Sequence, residues 1–352
     1  MNFIDLFAGV GGFHYGIDRV NSARASKALT GFSPNTPDEP QWHPQPLTCV
    51  YSNEWDKYAN SVYRRHYGQC DSRDIRTVNA SEIPQFDLLV GGFPCQSFSV
   101  AGRRGGFADT RGTLFFEIAR IVKEKQPRLL LLENVKGLLS HDKGETFRVI
   151  LRSLDELGYD VQWQVLNSKD FGVPQNRERV FIIGHLRGTR RPEVFPLGGF
   201  NPASLEYVGG ILSEKAKMWL DNGKQHSRNF PQGSRVYKDS RVEKRQNGRR
   251  FKEDGEPSFT LTAQDKHGVM LSRTVRAGGR GSTDEKHRWD VINDGVQIRR
   301  LTPVECERLQ GFPDGWTAFG ADAEVISDTQ RYKMMGNAVT TNVISAIIDK
   351  LI

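Results

Sequence analysis

The chain has 352 residues, of which 37% are hydrophobic and 26% are charged, a composition typical of a globular protein and not of a disordered or fibrous one. No apolar run approaches the ~18 residues that a membrane span needs, and the N-terminus lacks the basic start and apolar core of a signal peptide. The four cysteines show no C-x-x-C spacing, so we expect no disulfide framework, no metal site, no membrane association and a cytoplasmic location.

Up to about residue 186, short apolar runs alternate with helical stretches. The runs are NFIDLF, TCVYSN, FDLLVGG, RLLLLENV and RVFIIG, and the helical stretches include Thr113–Lys125 and Glu145–Leu157. Apolar strands that alternate with helices predict an α/β fold with a mostly parallel sheet covered on both faces. Ligands of such sheets bind beyond the carboxyl ends of the strands, so functional residues are expected directly after them.

Residues 187–298 differ in composition from the rest of the chain. This segment is rich in Gly, Arg, Lys, Asp and Asn, and it contains 21 Lys+Arg and 14 Asp+Glu, whereas the remainder contains 28 of each. The whole net charge of +7 therefore lies in this segment, which we expect to bind a polyanion, the alternative being a merely solvated face. We predict a small basic domain at 187–298 and a discontinuous, cofactor-binding catalytic domain at 1–186 and 299–352.

After residue 299 the helical pattern returns. LTPVECERLQ is expected to be helical, and Met334–Ile348 carries an apolar stripe that predicts a last helical element packed back onto the first domain. The Pro-rich stretch Pro34–Pro46, near the start of the chain, is expected to be a surface loop.

The first chemical signal is DLFAGVGGF, a strand that runs into a glycine-rich turn and a helix. Glycines there let the backbone approach a ligand at a helix N-terminus, which is compatible with a nucleotide-like molecule. Glu54 ends the second strand, where a carboxylate can bind ribose hydroxyls, and Trp55 and Asp74 could contact an adenine ring and its amino group. Each of these residues could instead have an ordinary structural role, since surface carboxylates and core tryptophans are common.

The second signal is GGFPCQSFS, which places Cys95 on a Gly/Pro turn after an apolar strand. An accessible thiol with a lowered pKa can act as a nucleophile, although an inert turn cysteine is the alternative. The stretch that follows, Val100–Gly112, is rich in Gly, Ala and Arg and predicts a mobile basic lid.

Two further motifs supply an acid and cations. LLLLENV puts Glu133 at the end of a buried strand, where burial raises the pKa of a carboxyl so that it can donate a proton, unless it is a structural ion-pair partner. QNRERVFIIG carries Arg177 and Arg179 two residues apart, hence on one face of an incoming strand. A thiolate for C6, an acid for N3, a cation for O2 and an adenosyl cofactor together fit methyl transfer to C5 of cytosine.

Over nearly its whole length the chain resembles the DNA (cytosine-5-)methyltransferase family of bacterial restriction-modification systems. The motifs, in the family's order, are DLFAGVGGF, SNEWDKYA, GGFPCQSFS, RGTLFFEIARI, ENVKGLL, QNRERVFIIG, RRLTPVECERLQGFPDGW and MMGNAVTTNV. The resemblance implies a Rossmann-like S-adenosylmethionine-dependent domain with a small irregular target-recognition domain. It also implies Cys95 as nucleophile, Glu133 as the partner of cytosine N3, and Arg177 and Arg179 in the substrate pocket.

The resemblance further implies cofactor and DNA contacts. Residues expected to bind S-adenosyl-L-methionine, or its product S-adenosyl-L-homocysteine, are Phe7, Gly9, Val10, Gly11, Gly12, Glu54, Trp55, Asp74, Ile75, Pro94, Leu114, Asn337, Ala338 and Val339. Residues expected to bind DNA are Gln96, Ser99, Arg103 and Arg104 in the lid region, and Thr260, Thr262 and Gln264 in PSFTLTAQDKHG, which resembles the family's recognition stretch.

Two other functions are compatible with parts of this pattern. A tRNA cytosine methyltransferase of the same fold would have a shorter insert in place of the basic segment, and a silent DNA-binding homologue would lack Cys95 or Glu133. We therefore expect a monomeric prokaryotic modification enzyme that acts on double-stranded DNA and associates with the nucleoid through it. A cognate restriction endonuclease is expected to act on the same site without binding this chain.

Overall fold

The computed structural model describes residues 1–30, 46–94, 114–197 and 301–352, and four short strands between 198 and 300. The strands are β1 Asn2–Leu6, β2 Thr48–Asn53, β3 Leu88–Gly92, β4 Leu129–Val135, β5 Tyr159–Asn167, β6 Glu178–Leu186, β7 Glu206–Val208, β8 Val236–Lys238, β9 His267–Ser272 and β10 Val296–Arg300. The helices are α1 Gly12–Thr30, α2 Lys57–Tyr67, α3 Leu114–Lys125, α4 Glu145–Glu156, α5 Pro303–Leu309, α6 Asp328–Asn337 and α7 Thr341–Leu351.

Seven strands form one sheet in the order β2-β1-β3-β4-β6-β5-β7. Strands β1 to β4 pair in parallel, whereas β6 runs antiparallel to both of its neighbours and β7 runs antiparallel to β5. Five of the seven strands therefore point the same way, which confirms the expected α/β architecture with a mostly parallel sheet. The carboxyl ends of β1 to β4 and the amino end of β6 meet at one edge.

Strand β6 is antiparallel because its connection from β5 is short. Ten residues separate Asn167 from Glu178, fewer than the dozen or more that a helical crossover between parallel strands requires. Strand β5 was not among the strands expected from the sequence. Its buried polar residues Gln162 and Gln164 interrupt the apolar pattern, and their amides donate to the carbonyl oxygens of Pro192 and Leu197.

The two faces of the sheet bury different residues, as the period of two in a strand requires. Ile4 and Leu6 of β1 pack on the face covered by α3 and α4. Phe3, which precedes Ile4 and points to the opposite face, packs in the cluster that contains residues of α1 and α7. Helix α7 is held on α1 where Gly16 meets Ile344, so the predicted return of the C-terminal segment to the first domain is confirmed.

The single last element expected over Met334–Ile348 is two helices in the structure, because the chain leaves the helical conformation between α6 and α7. Ala338 has extended backbone angles, φ −63° and ψ 149°, and its N–H still bonds the carbonyl oxygen of Met334. Two helices with an extended link of three residues replace the single element. This link contains two of the residues expected to bind the cofactor.

The basic segment 187–298 is described in part. Residues 194 and 195 lie in the core of the large sheet, and β7 is that sheet's edge strand, while β8, β9 and β10 form a separate antiparallel sheet. The division into two domains stays a prediction. Within the described ranges, no helix is both long enough and apolar enough to cross a membrane.

Candidate active site

The glycine-rich turn between β1 and α1 adopts backbone angles that few residues tolerate. Phe7, Gly9 and Gly11 all have positive φ, of 56°, 56° and 88°. A non-glycine residue such as Phe7 in this region is strained by about 1 kcal/mol or more, and such strain is found mainly at functional sites. Any side chain at Gly12 would collide with Val339, since a Cβ there would lie 2.6 Å from Cγ1 of that valine. The turn is thus in close contact with the chain around Val339.

Glu54, at the end of β2, supports this turn with its carboxylate. Oε2 accepts a hydrogen bond from the Gly9 N–H at 2.9 Å, and Oε1 accepts one from the Asp56 N–H at 2.7 Å. Burial raises the pKa of the Glu54 carboxyl, and these backbone hydrogen bonds oppose that rise. Each oxygen retains a further lone pair, so the group can still accept from ligand hydroxyls.

Trp55 and Asp74 have different surroundings. The Trp55 side chain is 69% exposed, an unusual position for so large an apolar ring and one that suits stacking on a ligand. Asp74 caps a short 3₁₀ helix that begins at Ile75, and its carboxylate pairs with Arg76 at 2.5 Å. The hydrogen bond from Arg76 lowers the pKa of Asp74, which favours the charged form of this carboxylate.

A layer of aromatic and imidazole rings lies beneath the glycine-rich turn. Trp316 donates its indole N–H to the carbonyl oxygen of Val10 at 2.8 Å and stacks on the His66 ring at 3.6 Å. Tyr67 stacks on His14 at 3.7 Å and blocks any side chain at Gly11. Trp316 was not among the residues expected from the sequence, where its only signal is its place in the GFPDGW motif, 306 residues from Val10.

The link between α6 and α7 closes the other side of the turn. Asn337 is exposed, whereas Ala338 and Val339 are each 8% exposed, and Val339 lies against Gly12. The structure therefore brings Phe7, the glycines, Glu54, Trp55, Asn337, Ala338 and Val339 to one edge of the sheet. Asp74 and Ile75 follow β2 on the same side through the Asn53–Asp71 bridge.

Glu133 and Arg179 form an ion pair at the end of β4. The guanidinium Nε lies 3.0 Å from Oε1 of the carboxylate, and the two side chains are only 15% and 13% exposed. Burial raises the pKa of Glu133, while Arg179 first and then Arg177 oppose the rise, and the net direction is upward. A largely buried carboxyl with a raised pKa, held beside a fixed cation, is suited to interact with a ligand nitrogen as an acid.

A side chain of β4 fixes the turn that precedes Cys95 through a hydrogen bond. Asn134 is 2% exposed, and its Nδ2 donates to the carbonyl oxygen of Phe93 at 2.7 Å. Gly92, paired with Glu133 in the sheet, leaves room for that carboxylate, since a Cβ there would lie 3.1 Å from Oε2. Glu133 of the ENV motif was expected at the site from the sequence, whereas its neighbour Asn134 was not.

Arg177 is buried and directed at the α6–α7 link. Its side chain is 2% exposed, and Nη2 donates to the carbonyl oxygens of Gly336 at 3.1 Å and Ala338 at 2.7 Å. Burial, with a further contribution from Arg179, lowers the pKa of Arg177 to about 9. The expected substrate role of this arginine stays a prediction.

Other expected residues lie at the periphery or outside the described ranges. Pro94 is exposed at the end of β3, and Leu114 begins α3, partly buried against the core. Among the residues that the structure describes, no group of three His, Cys, Asp or Glu side chains could hold a metal ion. The expected residues outside the described ranges are Cys95, Gln96, Ser99, Arg103, Arg104, Thr260, Thr262 and Gln264.

Comparison with known proteins gives a consistent result. Residues 1–352 match the model of the family described as C-5 cytosine-specific DNA methylase. The chain is 37% identical over 350 residues to the Type II methyltransferase M.SsoII of Shigella sonnei, covering 99% of this chain and 79% of that relative. It is 34% identical over 355 residues to the Type II methyltransferase M.HhaI of Haemophilus parahaemolyticus, covering 99% and 93%.

Solved structures support the same fold at lower identity. A mutant of DNMT2 from Spodoptera frugiperda superposes with a TM-score of 0.57 at 18% identity, covering 99% of both chains. A putative DNA modification methyltransferase encoded within an E. coli prophage superposes with a TM-score of 0.53 at 19% identity, covering 100% of this chain and 98% of that one.

Proposed function

The chain belongs to the C-5 cytosine-specific DNA methylase family, and is thus a DNA cytosine-5 methyltransferase; from this premise we propose a mechanism for its own residues. It methylates C5 of a cytosine flipped out of one specific duplex sequence, through a covalent bond between Cys95 and C6. The observation that carries the proposal is the buried Glu133–Arg179 pair, at the same sheet edge as the turn that leads to Cys95.

The residues at the sheet edge fit S-adenosyl-L-methionine. Gly9 leaves open space, since a Cβ there would meet nothing within 4 Å; Glu54 offers acceptors for ribose hydroxyls, and Trp55 offers an exposed ring for adenine. Asn337, Ala338 and Val339 would close the site from the α6–α7 link. When bound, the cofactor supplies a methyl group on a positively charged sulfur, which is an electrophile.

The chain's own groups would activate the base in three ways. The Cys95 thiolate adds to C6 and breaks the C5–C6 double bond, Glu133 hydrogen-bonds or protonates N3, and Arg179 stabilises the charge that develops at O2. Once C5 had accepted the cofactor's methyl group, a base would remove the C5 proton, N3 would return to Glu133 any proton it had gained, and the C6–sulfur bond would break to regenerate the thiolate and the aromatic ring. Arg177 remains a proposed member of this pocket.

The cellular role follows from the relatives named above. Two Type II methyltransferases of restriction-modification systems align with almost the whole chain, so we propose that this enzyme protects host DNA from an endonuclease with the same specificity. Bisulfite sequencing of plasmid DNA from an expressing host would identify the methylated sequence. That mapped duplex is the substrate for the experiments below.

The first prediction concerns the covalent step. A duplex with 5-fluorocytosine at the mapped position should form an adduct with the enzyme and cofactor that resists SDS, because fluorine cannot leave C5 as a proton does. Cys95→Ser should abolish the adduct and retain duplex binding, whereas Cys306→Ser, at a buried cysteine in another cluster, should retain both. An adduct that persists in Cys95→Ser would reject Cys95 as the nucleophile.

A further inference from the structure

Two parts of the site, the α6–α7 link and the Glu133–Arg179 pair, are joined through one buried residue. The Arg177 guanidinium donates to the carbonyl oxygens of Gly336 and Ala338, which lie on either side of Asn337. Arg177 also directly precedes β6, two residues before Arg179. A displacement of the link would therefore act directly on the amino end of β6.

A second chain of hydrogen bonds runs parallel to the first. The Ser168 N–H donates to the Arg177 carbonyl oxygen at 3.0 Å, and the Ser168 hydroxyl lies 2.8 Å from that of Thr340. The Thr340 hydroxyl donates to Oε1 of Gln310 at 2.8 Å, and Nε2 of Gln310 donates to the Met335 carbonyl oxygen at 2.8 Å.

All of these side chains are at most 2% exposed. The segment 335–340 is consequently held at four points, Met335, Gly336, Ala338 and Thr340, by Arg177 and Ser168 beside β6 and by Gln310 after α5. Buried networks of this kind, when fully bonded, hold one arrangement because any broken bond leaves a desolvated polar group. The two ends of the network therefore move together or not at all.

We propose that Arg177 is a positioning residue that couples cofactor occupancy at the α6–α7 link to the arrangement of Glu133 and Arg179. This inference rests on the proposed function, because it assigns the link to the cofactor and the ion pair to the target base. Electrostatics agrees with the geometry, since the Arg177 charge acts on both members of the pair. Binding at either end should then favour binding at the other, by the reciprocity of linked equilibria.

The test measures coupling directly. The dissociation constant of the mapped duplex would be determined with and without saturating S-adenosylhomocysteine, which cannot donate a methyl group. The wild-type ratio should fall in the range of about 5- to 150-fold that is typical of coupled sites. Arg177→Lys should bring the ratio close to one, because a single ammonium does not reproduce the fork of guanidinium donors that reaches both carbonyls.

Two other variants separate coupling from general damage. Ser168→Ala removes one hydroxyl and no charge, and it should lower the ratio by less than Arg177→Lys. Arg187→Lys changes an exposed arginine just after the far end of β6, paired with Asp155 and Asp160, and should leave the ratio unchanged. If Arg177→Lys does not fold, as judged by thermal unfolding, Ser168→Ala carries the test.

Some outcomes would overturn the inference. One is a wild-type ratio of duplex dissociation constants, with and without S-adenosylhomocysteine, in both Arg177→Lys and Ser168→Ala. Another is a variant that binds cofactor alone and duplex alone equally more weakly while this ratio stays at its wild-type value. The 5-fluorocytosine adduct distinguishes the two levels. No Cys95 adduct in the wild type would reject the proposed function, whereas a normal adduct with unchanged coupling would reject only the role of Arg177.

Discussion

Glu133 is subject to two opposing electrostatic influences. Its burial favours the neutral acid, whereas the guanidinium of Arg179 at 3.0 Å, helped by Arg177, favours the carboxylate. Burial prevails, so the pKa of the carboxyl is raised above its ordinary value. This balance suits an acid that must keep a proton until cytosine N3 arrives and must remain oriented meanwhile.

The second prediction is that Glu133→Gln slows single-turnover methylation by about 10²- to 10⁴-fold, the usual contribution of a positioned acid. Cofactor affinity should change little, because Glu133 lies on β4 and not among the residues at the glycine-rich turn. Since a raised pKa keeps the acid protonated below it, the wild-type rate should also fall on the alkaline side as Glu133 ionises. The glutamine variant should lack that alkaline decline.

Glu145→Gln, at an exposed glutamate at the start of α4, is the matched control and should retain the wild-type rate profile. Rapid-quench assays across a pH series measure both variants. If Glu133→Gln methylated at near-normal rates, another group would have to interact with N3.

At the same scale, some residues of the site could be predicted from the sequence and others could not. Glu54 and Glu133 were predictable because a strand that ends in a carboxylate places it at the edge where ligands bind. The partners of Trp316 and Arg177 could not be predicted, because their bonds to Val10 and Ala338 join segments 306 and 161 residues apart. Side-chain spacing within a motif says nothing about such distant backbone groups.

At the scale of elements, the ends of β3 and β4 are tied by one side chain. Asn134 donates to the Phe93 carbonyl oxygen, and its own Oδ1 accepts from the Val135 N–H at 2.8 Å. The amide therefore fixes the backbone two residues before Cys95 relative to the strand that carries Glu133. The backbone that leads to the proposed nucleophile and the strand that carries the proposed acid are thus held together, which is how rigid elements preorganise a site.

The third prediction is that Asn134→Ala slows formation of the 5-fluorocytosine adduct by about 10- to 100-fold, since small misplacements of a reacting group have effects of that order. Unfolding free energy should fall by about 1–3 kcal/mol, because the Phe93 carbonyl loses its buried donor. Ser140→Ala, which removes an exposed hydroxyl bonded to Gly137, is the control. An unchanged adduct rate in Asn134→Ala would show that the turn holds its position unaided.

Elements were predictable where the pattern was unbroken. The apolar runs of β1 to β4 and β6, and the bounds of α3 and α4 to within a residue, follow from hydrophobic period and length. Strand β5 was not predicted because its glutamines interrupt the apolar pattern. In the fold these glutamines are buried, and their amides donate to carbonyl oxygens of residues distant in the sequence. The interruption between α6 and α7 was not predicted because the sequence NAVTTN continues the apolar stripe of the flanking residues. The extended link is held by hydrogen bonds from Arg177, which the local sequence does not show.

For the whole molecule, charge and chemistry are separated along the chain. The sequence outside 187–298 carries equal numbers of acidic and basic residues, so the excess of +7 belongs to the segment predicted to recognise the target. The neutral remainder of the chain would then not bind DNA by charge alone. The basic segment 187–298 would position the duplex through contacts with its phosphates. The separation is visible in the sequence, whereas the direction in which each basic side chain points is not.

The fourth prediction follows from this separation. Affinity for duplex DNA should fall steeply with salt, with log K decreasing by about 0.9 for each phosphate neutralised per unit of log salt. Replacing a basic run of the segment by glutamine should flatten that slope if the run faces the phosphates, whereas replacing Lys123, Arg128 and Lys350, exposed on the catalytic part, should leave it unchanged. The run comprises Arg241, Lys244, Arg245, Arg249 and Arg250.

Base flipping adds a second, independent arm to this experiment. Extrusion of the target cytosine costs a few kcal/mol of stacking and pairing, and a mismatch at that position removes part of the cost in advance. A mismatched target should therefore bind more tightly than the paired one at every salt concentration, with the same slope, because the phosphate contacts do not change. Titration of both duplexes over a salt series measures slope and offset together. A duplex affinity independent of salt would contradict the role given to the basic segment, and a mismatched target that bound no tighter than the paired one would contradict flipping.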